Sequence, residues 1–388
     1  MKITYIVNSR IPTEKAHGFA ISKMCEQFGD LGHDVVLVVP TVSRPYPEDV
    51  FVYYGLRDSF KVKRIRTINF IEYVKLLGKF AFWLNELLFN CILIFKFFIR
   101  KEKNAAVYTR DEIVAFLFSW FYPTFWEAND KFPKKKRFFY KILLRKIRGI
   151  IVVNKIVKDL YIKELGVEDD DIFVARNAVD LREFEDIKSD RMSLRGELNL
   201  PSDKTIIGYV GKFKTVGEEK GVEFLVDCMS EIKKYSEKYL LCCVGGSMKD
   251  IEEIKKIISE QGLDDYIKLV SHVDRKLVVK YLKSFDILAM PFPDTYHYRY
   301  RMSPIKMFEY MAAGKPIIAT DLPTIREVLG DNNSYIINSD EVPYFINAVK
   351  DIADDPAEAD KRAARALEDV QQYTWQKRAE NILNFIRR

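Results

Sequence analysis

SPIKMFEYMAAGKPIIATD, residues 303–321, reads as a helix, its stop and the strand that follows. Ser303 is a favoured N-cap residue and Pro304 a favoured first helical residue, so a helix is predicted to begin here with its free backbone N–H groups pointing outward. Such a terminus can hold an anion such as a diphosphate. Glu309 lies about one and a half turns further on, close enough for its carboxylate to reach a ribose diol beside that diphosphate. Gly314 ends the helix, and KPIIAT, residues 315–320, enters a buried strand. A plain capped helix with a solvent-exposed Glu309 fits the same letters.

Working outward, this helix-to-strand step is one of many. Upstream lie the apolar β runs TIIGYVG at 205–211, YLLCCVGG at 239–246, YIKLVSHV at 266–273 and DILAMPF at 286–292. An earlier series comprises KITYIVN at the start of the chain, HDVVLVV from residue 33, AAVYTR at 105–110, PTFWEAN at 123–129 and GIIVVN at 149–154. Helical or turn patterns separate them, which argues for parallel sheets covered on both faces. Polar residues replace the apolar run near Val179 to Glu185, after DIFVARN. We therefore expect one domain over 1–181 and a second over 182–373, with TWQKRAENILNFIRR at 374–388 as a helix completing the first. A chain of 388 residues exceeds the usual single core, in keeping with two domains of roughly 150 to 200 residues each.

Composition narrows the function. The chain is 48% hydrophobic and 30% charged, with a net charge of +6, which suits a globular protein rather than a disordered one. Its opening, MKITYIV, runs straight into a strand, so a secretory leader is not expected and the cytoplasm is the default location. Cysteines at 25, 91, 228, 242 and 243 have no metal-ligand spacing and read as buried thiols. Asp169, Asp170 and Asp171 resemble a carboxylate cluster but read as a solvated turn. No bound metal is expected. Between Lys75 and Arg148 cations and aromatic residues alternate, as in KFPKKKRFFYKILLRKIR. This is either a core helix followed by a solvated basic helix, or an in-plane contact with an anionic membrane surface at the inner face of the cell membrane. Nucleic acid is not expected, because no nucleic-acid-binding motif accompanies the charge.

The second chemical constellation is GYVGKF at 208–213 followed by Lys220 and Gly221. Gly211 at a strand end permits close approach of backbone to a ligand. Lys212 and Lys220 supply two cations able to neutralise a departing diphosphate. Two surface lysines beside an exposed turn are the plainer alternative. The first loop has no G-x-G-x-x-G, so a dinucleotide fold of the nicotinamide type lacks its fingerprint.

In order and spacing these segments resemble glycosyltransferase family 4, together with the Gly18 loop, WEAND, IIVVNKIVKDLY with ELGV and RNAVD, SPIKMFEYMAAGKPIIATDLPTIREVL and the Trp375 helix. The resemblance runs nearly end to end. It implies a GT-B fold of the α/β class, two Rossmann-like domains with parallel sheets facing across a cleft. It also implies a retaining transferase that moves a hexose from a nucleotide sugar to a glycan or lipid-linked acceptor in the synthesis of cell-surface polysaccharide or glycoconjugate. The nucleotide sugar is substrate, and no cofactor or metal is implied. Lys212 and Lys220 would hold the diphosphate, Glu309 the ribose, and the backbone of Ser303, Pro304 and Ile305 the phosphate. Ser271, His272 and Val273 would flank the base, and Gly18 would let the first loop approach the donor.

Two departures stand out. The family commonly has a second glutamate eight positions before the one matching Glu309, and here that position is Arg301; either Asp294 in the loop FPDTYHYRYRM supplies the missing carboxylate while Arg301 turns to solvent, or Arg301 itself pairs with an acidic sugar or a phosphate on the acceptor. Asn129 stands where many relatives have a histidine, and it cannot titrate. Glu127, Asp130 and Arg110 remain as polar candidates on the acceptor or sugar side. A nucleotide-sugar epimerase and a non-catalytic nucleotide-sugar-binding homologue are the competing readings.

Overall fold

The computed structural model describes the chain except residues 14, 42–48, 67–77, 101–104, 129–136 and 216–217. It contains two compact units, Met1–Arg176 with Trp375–Arg388, and Asn177–Thr374. The division therefore falls between Arg176 and Asn177, and the chain returns to the first unit at Trp375.

The first unit is built on strands β1 (Lys2–Ile6), β2 (Asp34–Thr41), β3 (Lys61–Arg66), β4 (Ala105–Thr109), β5 (Thr124–Ala128), β6 (Gly149–Val152) and β7 (Ile172–Val174). Their order is β3-β2-β1-β4-β5-β6-β7, and every neighbouring pair is parallel. The central strands are apolar because both faces are covered: Ile3, Tyr5 and Ile6 on β1 are fully buried. Strand β3, KVKRIR, was not expected from the sequence. It is the edge, where lysine and arginine are tolerated and blunt the exposed ladder, so its letters lack an apolar run. The helix Trp375–Ile386 packs on this unit through Trp375, Ile382, Leu383 and Phe385. Phe385 sits where a Cβ on Gly149 would lie, 2.6 Å from its ring, so Gly149 is required for that docking.

The second unit carries β8 (Thr205–Val210), β11 (Tyr239–Gly246), β12 (Ile267–Ser271), β13 (Ile287–Met290), β14 (Ile317–Thr320) and β15 (Tyr335–Ile337), with a small antiparallel hairpin of β9 (Lys214–Thr215) and β10 (Glu218–Glu219). The sheet order is β12-β11-β8-β13-β14-β15, again parallel throughout. Both sheets thus show the Rossmann order, in which the chain reverses direction of travel beside the first strand. In the second unit that switch lies between β8 and β13, and ligands of open α/β sheets bind at the carboxyl ends of the strands there. Strand β15 was also missed: it is three residues long and lies at the edge.

Candidate functional site

The carboxyl end of β8 is shaped by glycine. Gly211 has φ of +140°, a backbone region that side chains avoid, and Gly245 at φ of +111° lies so close that its Cβ would meet the Gly211 carbonyl at 2.8 Å. The Gly211 N–H donates to the Val244 carbonyl at 2.8 Å, and the Tyr310 hydroxyl accepts from the Val210 N–H at 2.8 Å. Lys212 follows, and its carbonyl accepts from the Tyr209 hydroxyl at 2.8 Å. The β9–β10 hairpin then brings the chain back to Lys220, whose N–H donates to the Phe213 carbonyl at 3.0 Å. Gly221, at φ of +91°, must be glycine because a Cβ would lie 1.8 Å from the Pro291 carbonyl oxygen. Glu219 caps the helix Val222–Lys233 by accepting from the Val222 N–H at 2.6 Å.

This architecture sets Lys212 and Lys220 within electrostatic reach of each other. Burial, together with repulsion from Lys212, pushes the half-buried Lys220 ammonium down to about 8. Among the described residues neither lysine has a carboxylate partner. Lys220 is thus more than a solvated lysine on a turn.

The helix of the opening motif spans Ile305–Ala313 and ends at Gly314 in the left-handed conformation, φ +62°. It begins later than its letters suggest. Pro304 occupies the N-cap and no side chain caps the helix. The expectation that Ser303 caps it is corrected: the Ser303 hydroxyl instead accepts from the Asn177 N–H at 3.0 Å, and the Asn177 amide donates to the Ser303 carbonyl at 2.5 Å. Asn177 competes successfully for the hydroxyl, and the first-turn N–H groups keep no side-chain acceptor.

Glu309 is buried, not exposed, and forms an ion pair with Arg275 at the start of the helix Arg275–Ser284. Arg275 also binds Glu183 at 2.7 Å. Burial would lower the Arg275 guanidinium, but the two carboxylates outweigh it and hold it above its ordinary value. Sequence reasoning missed Arg275, although it stands two residues beyond the predicted base-flanking loop. In that loop Ser271 and His272 are exposed and Val273 is half-buried.

Lys306 was also missed. Its Nζ is buried without a hydrogen-bond partner among the described residues and lies 3.7 Å from the centre of the Tyr209 ring. The available signal was a lysine in a helix that is otherwise apolar on nearly every side. The room that Gly211 leaves is filled by this amine, since a Cβ there would lie 3.0 Å from Lys306 Cε and Nζ.

Around the missing glutamate, the chain folds as a short helix Tyr296–Tyr300. Tyr298 is buried and donates to the Glu219 carbonyl at 3.1 Å, which ties this helix to the β9–β10 hairpin. Asp294 is engaged by Arg299 through a two-pronged ion pair, and that hydrogen bonding holds its carboxyl below the usual range. Asp294 is therefore not a free substitute for the glutamate. Arg301 stacks its guanidinium on the Tyr296 ring at 4.9 Å.

In the first unit two expectations change. Gly18 lies inside the helix Ala16–Asp30, and the space beside it is occupied by protein: a Cβ would meet the Tyr54 hydroxyl at 2.3 Å and Thr13 Cγ2 at 2.5 Å. The glycine admits Tyr54, whose hydroxyl binds both the N–H and the carbonyl of Thr13 at 2.7 and 2.8 Å. Glu127 is fully buried. One of its oxygens accepts from Arg110 at 2.6 Å and Arg378 at 2.9 Å, and the other from Tyr108 at 2.8 Å and Tyr5 at 3.2 Å. Burial favours the neutral acid, but Arg110 and Arg378 overcome it and hold the carboxyl well below its ordinary range. Glu127 and its partner Arg110 thus anchor the last helix, and Glu127 does not face an acceptor. Asn129 and Asp130 lie outside the described residues.

A Rossmann-ordered unit with unpaired lysines and an uncapped helix terminus at its switch point defines an α/β protein equipped to hold a phosphorylated ligand. Residues 20–183 match Glycosyltransferase Family 4 and residues 204–355 match Glycosyl transferases group 1. The chain belongs to the family 4 glycosyltransferases, of GT-B fold. It is similar to a D-inositol 3-phosphate glycosyltransferase of Nocardioides sp., 21% identical over 55% of this chain and 48% of that one. It is also similar to an O-antigen chain mannosyltransferase of Salmonella typhimurium, 24% identical over 58% and 56%. The chain thus spans about half the length of these curated relatives. Among solved structures, Anabaena HepE in complex with UDP superposes with a TM-score of 0.74 at 14% identity, covering 99% of both chains. Sucrose-phosphate synthase of Thermosynechococcus elongatus gives 0.73 at 18% identity, covering 100% and 98%.

Proposed function

We propose that this chain transfers a sugar from a nucleotide-sugar donor to a glycan or lipid-linked acceptor with retention of anomeric configuration. The observation that carries the reading is the pair Lys212 and Lys220, which follow β8 within electrostatic reach of each other and have no carboxylate partners among the described residues. Charges kept apart from counter-ions are ready to take one from a ligand. In the transfer, the bond between anomeric carbon and phosphate oxygen breaks and the diphosphate leaves with the electron pair. The acceptor oxygen bonds to the carbon, and its proton passes to the departing phosphate oxygen. Lys212, Lys220 and the N–H groups at the start of Ile305–Ala313 balance the charge that develops on the phosphate. Glu309, oriented by Arg275, accepts from the ribose hydroxyls, and Ser271, His272 and Val273 lie beside the base. HepE, which matches the whole chain in fold, was crystallised with UDP-glucose, and this supports a nucleotide sugar as donor.

The test is a panel of nucleotide sugars and acceptors, with the anomeric configuration of any product read by NMR. Transfer with retention, persisting in EDTA, is expected. Epimerised donor in the absence of acceptor, or nucleotide binding without turnover, would replace this reading with an isomerase or a binding homologue.

We propose further that the product is a cell-surface glycan and that the chain works at the inner face of the membrane. No described helix is long and apolar enough to cross a membrane. Trp120, Phe121 and Phe138 are exposed, with Lys146 4.1 Å from the Trp120 ring, and aromatic bodies beside cations suit contact with an anionic surface. Lys134, Lys135 and Lys136 of the same stretch lie outside the described residues.

A further inference from the structure

Lys306 is more than nine-tenths buried in the first turn of the helix Ile305–Ala313. Taking an ammonium out of water is costly unless a partner compensates it. None does so here: among the described residues its Nζ has neither a hydrogen bond nor an ion pair. What surrounds it is the face of Tyr209 at 3.7 Å, the Phe292 ring at 5.3 Å and the bare backbone of Gly211. A protein selected only for stability would place methionine or leucine in such a socket. Instead a glycine with φ of +140° keeps open the one space into which the amine fits.

The groups that act on the amine come from every side. Lys220, at the end of the hairpin, repels its proton. Glu309 on its own helix, Cys243 on β11 and Glu219 on β10 favour the proton, but none of them makes contact. Burial is the largest influence, and with Lys220 it pushes the amine well below the ordinary lysine range. The amine is held without a counter-charge.

We propose that Lys306 is a third phosphate-binding cation of this site, held without a counter-ion so that an incoming diphosphate supplies one and the amine takes up a proton as it binds. This rests on the reading of Lys212 and Lys220 as a diphosphate site, and it adds to that reading a specific residue and a proton. Donor binding is then linked to pH. Affinity is greatest at low pH and falls by about tenfold per unit as pH rises between the amine's pKa in the free and in the bound protein.

Calorimetry decides it. UDP, GDP, ADP and inorganic pyrophosphate are titrated at pH 7.5 into the wild-type chain and into Lys306→Met, in buffers of different ionisation heat. Because the phosphates' own protons are common to both proteins, the difference in proton uptake isolates the amine. The wild type is expected to take up more protons than Lys306→Met and to bind about tenfold or more tightly. Ligand-free Lys306→Met is expected to melt at or above the wild-type temperature, because the substitution removes a desolvated amine. Equal proton uptake in the two proteins, or a lower melting temperature with affinity intact, overturns the proposal and leaves the diphosphate site standing. Should Lys306→Met fail to fold, Lys306→Gln is measured in the same way. Failure of all four probes to bind the wild type overturns the diphosphate site, and the third cation with it.

Discussion

Glu127 in the first unit and Glu309 in the second are both carboxylates withdrawn from water, yet their surroundings differ in kind. Glu127 has two arginines and two tyrosines on its two oxygens. Glu309 has Arg275, which it shares with Glu183, and it shares its helix with Lys306, whose amine has no hydrogen-bond partner among the described residues. The first cluster is closed, and its energy goes into holding the last helix to the sheet. The second keeps the Lys306 amine buried without a partner among the described residues, an arrangement that costs stability. Saturation, more than burial, separates a structural charge cluster from a binding one.

Breaking the closed cluster should have the largest effect. Glu127→Ala leaves Arg110 and Arg378 without their carboxylate, and removing one partner of a buried pair typically costs about 3–5 kcal/mol. Urea unfolding measures this, and a loss below about 1 kcal/mol would show the network to be incidental. The sign with pH follows from a folded pKa held below the ordinary 4.5. The contribution is full above the unfolded value and is lost as pH falls through and below it. The stability gap between wild type and Glu127→Ala should therefore narrow from pH 6 toward pH 3, and a constant gap would contradict the assignment.

Opening the second cluster should cost activity and spare stability. Lys220→Ala is expected to slow single-turnover transfer by about 10- to 1000-fold, by analogy with removing one preorganised charge-stabilising donor, while the ligand-free protein unfolds at the same urea concentration or a higher one. An unchanged rate at saturating donor would remove Lys220 from the chemistry. Because its ammonium titrates at about 8, nucleotide diphosphate binding should weaken as pH rises through that value, and Lys220→Ala should flatten that limb.

A smaller effect is expected at the exposed aromatics of the first unit. Vesicles of anionic lipid should retain the chain at low salt and release it as salt rises, since exposed charges are screened over ~10 Å at about 0.1 M, and Trp120→Ser with Phe138→Ser should weaken retention. A chain that stays in the supernatant at low salt ends the membrane reading. The smallest effect is expected at Asp294. Its pair with Arg299 is about a third exposed, so Asp294→Ala should change stability by less than about 1 kcal/mol and leave the donor's KM unaltered. A large rise in KM would instead restore Asp294 as the substitute for the absent glutamate at position 301.

Where elements are central and apolar, sequence and structure coincide: YLLCCVGG is strand from Tyr239 to Gly246, and TWQKRAENILNFIRR is the final helix. They diverge at the edges. The run KVKRIR pairs only on one side, through β2, and keeps its charges; the run at 335–337 is too short to show a period. At the candidate site, Lys212, Lys220 and Glu309 stand out in the sequence by residue type and spacing, whereas Arg275 and Lys306 do not. Ser303 was misjudged as a cap because its true partner, Asn177, is 126 positions away.

What the sequence determines by itself is the alternation of buried strands and helices, the family, and the identity of the residues at the β8 end and at the 303–321 motif, because these depend on period and local spacing. What only the tertiary structure decides is which charges are satisfied. Glu127 meets Tyr5 across 122 positions and Arg378 across 251, whereas Lys306 meets an aromatic face and a glycine. Pairing of that kind is a property of the packed interior, where burial magnifies the cost of every unpaired charge.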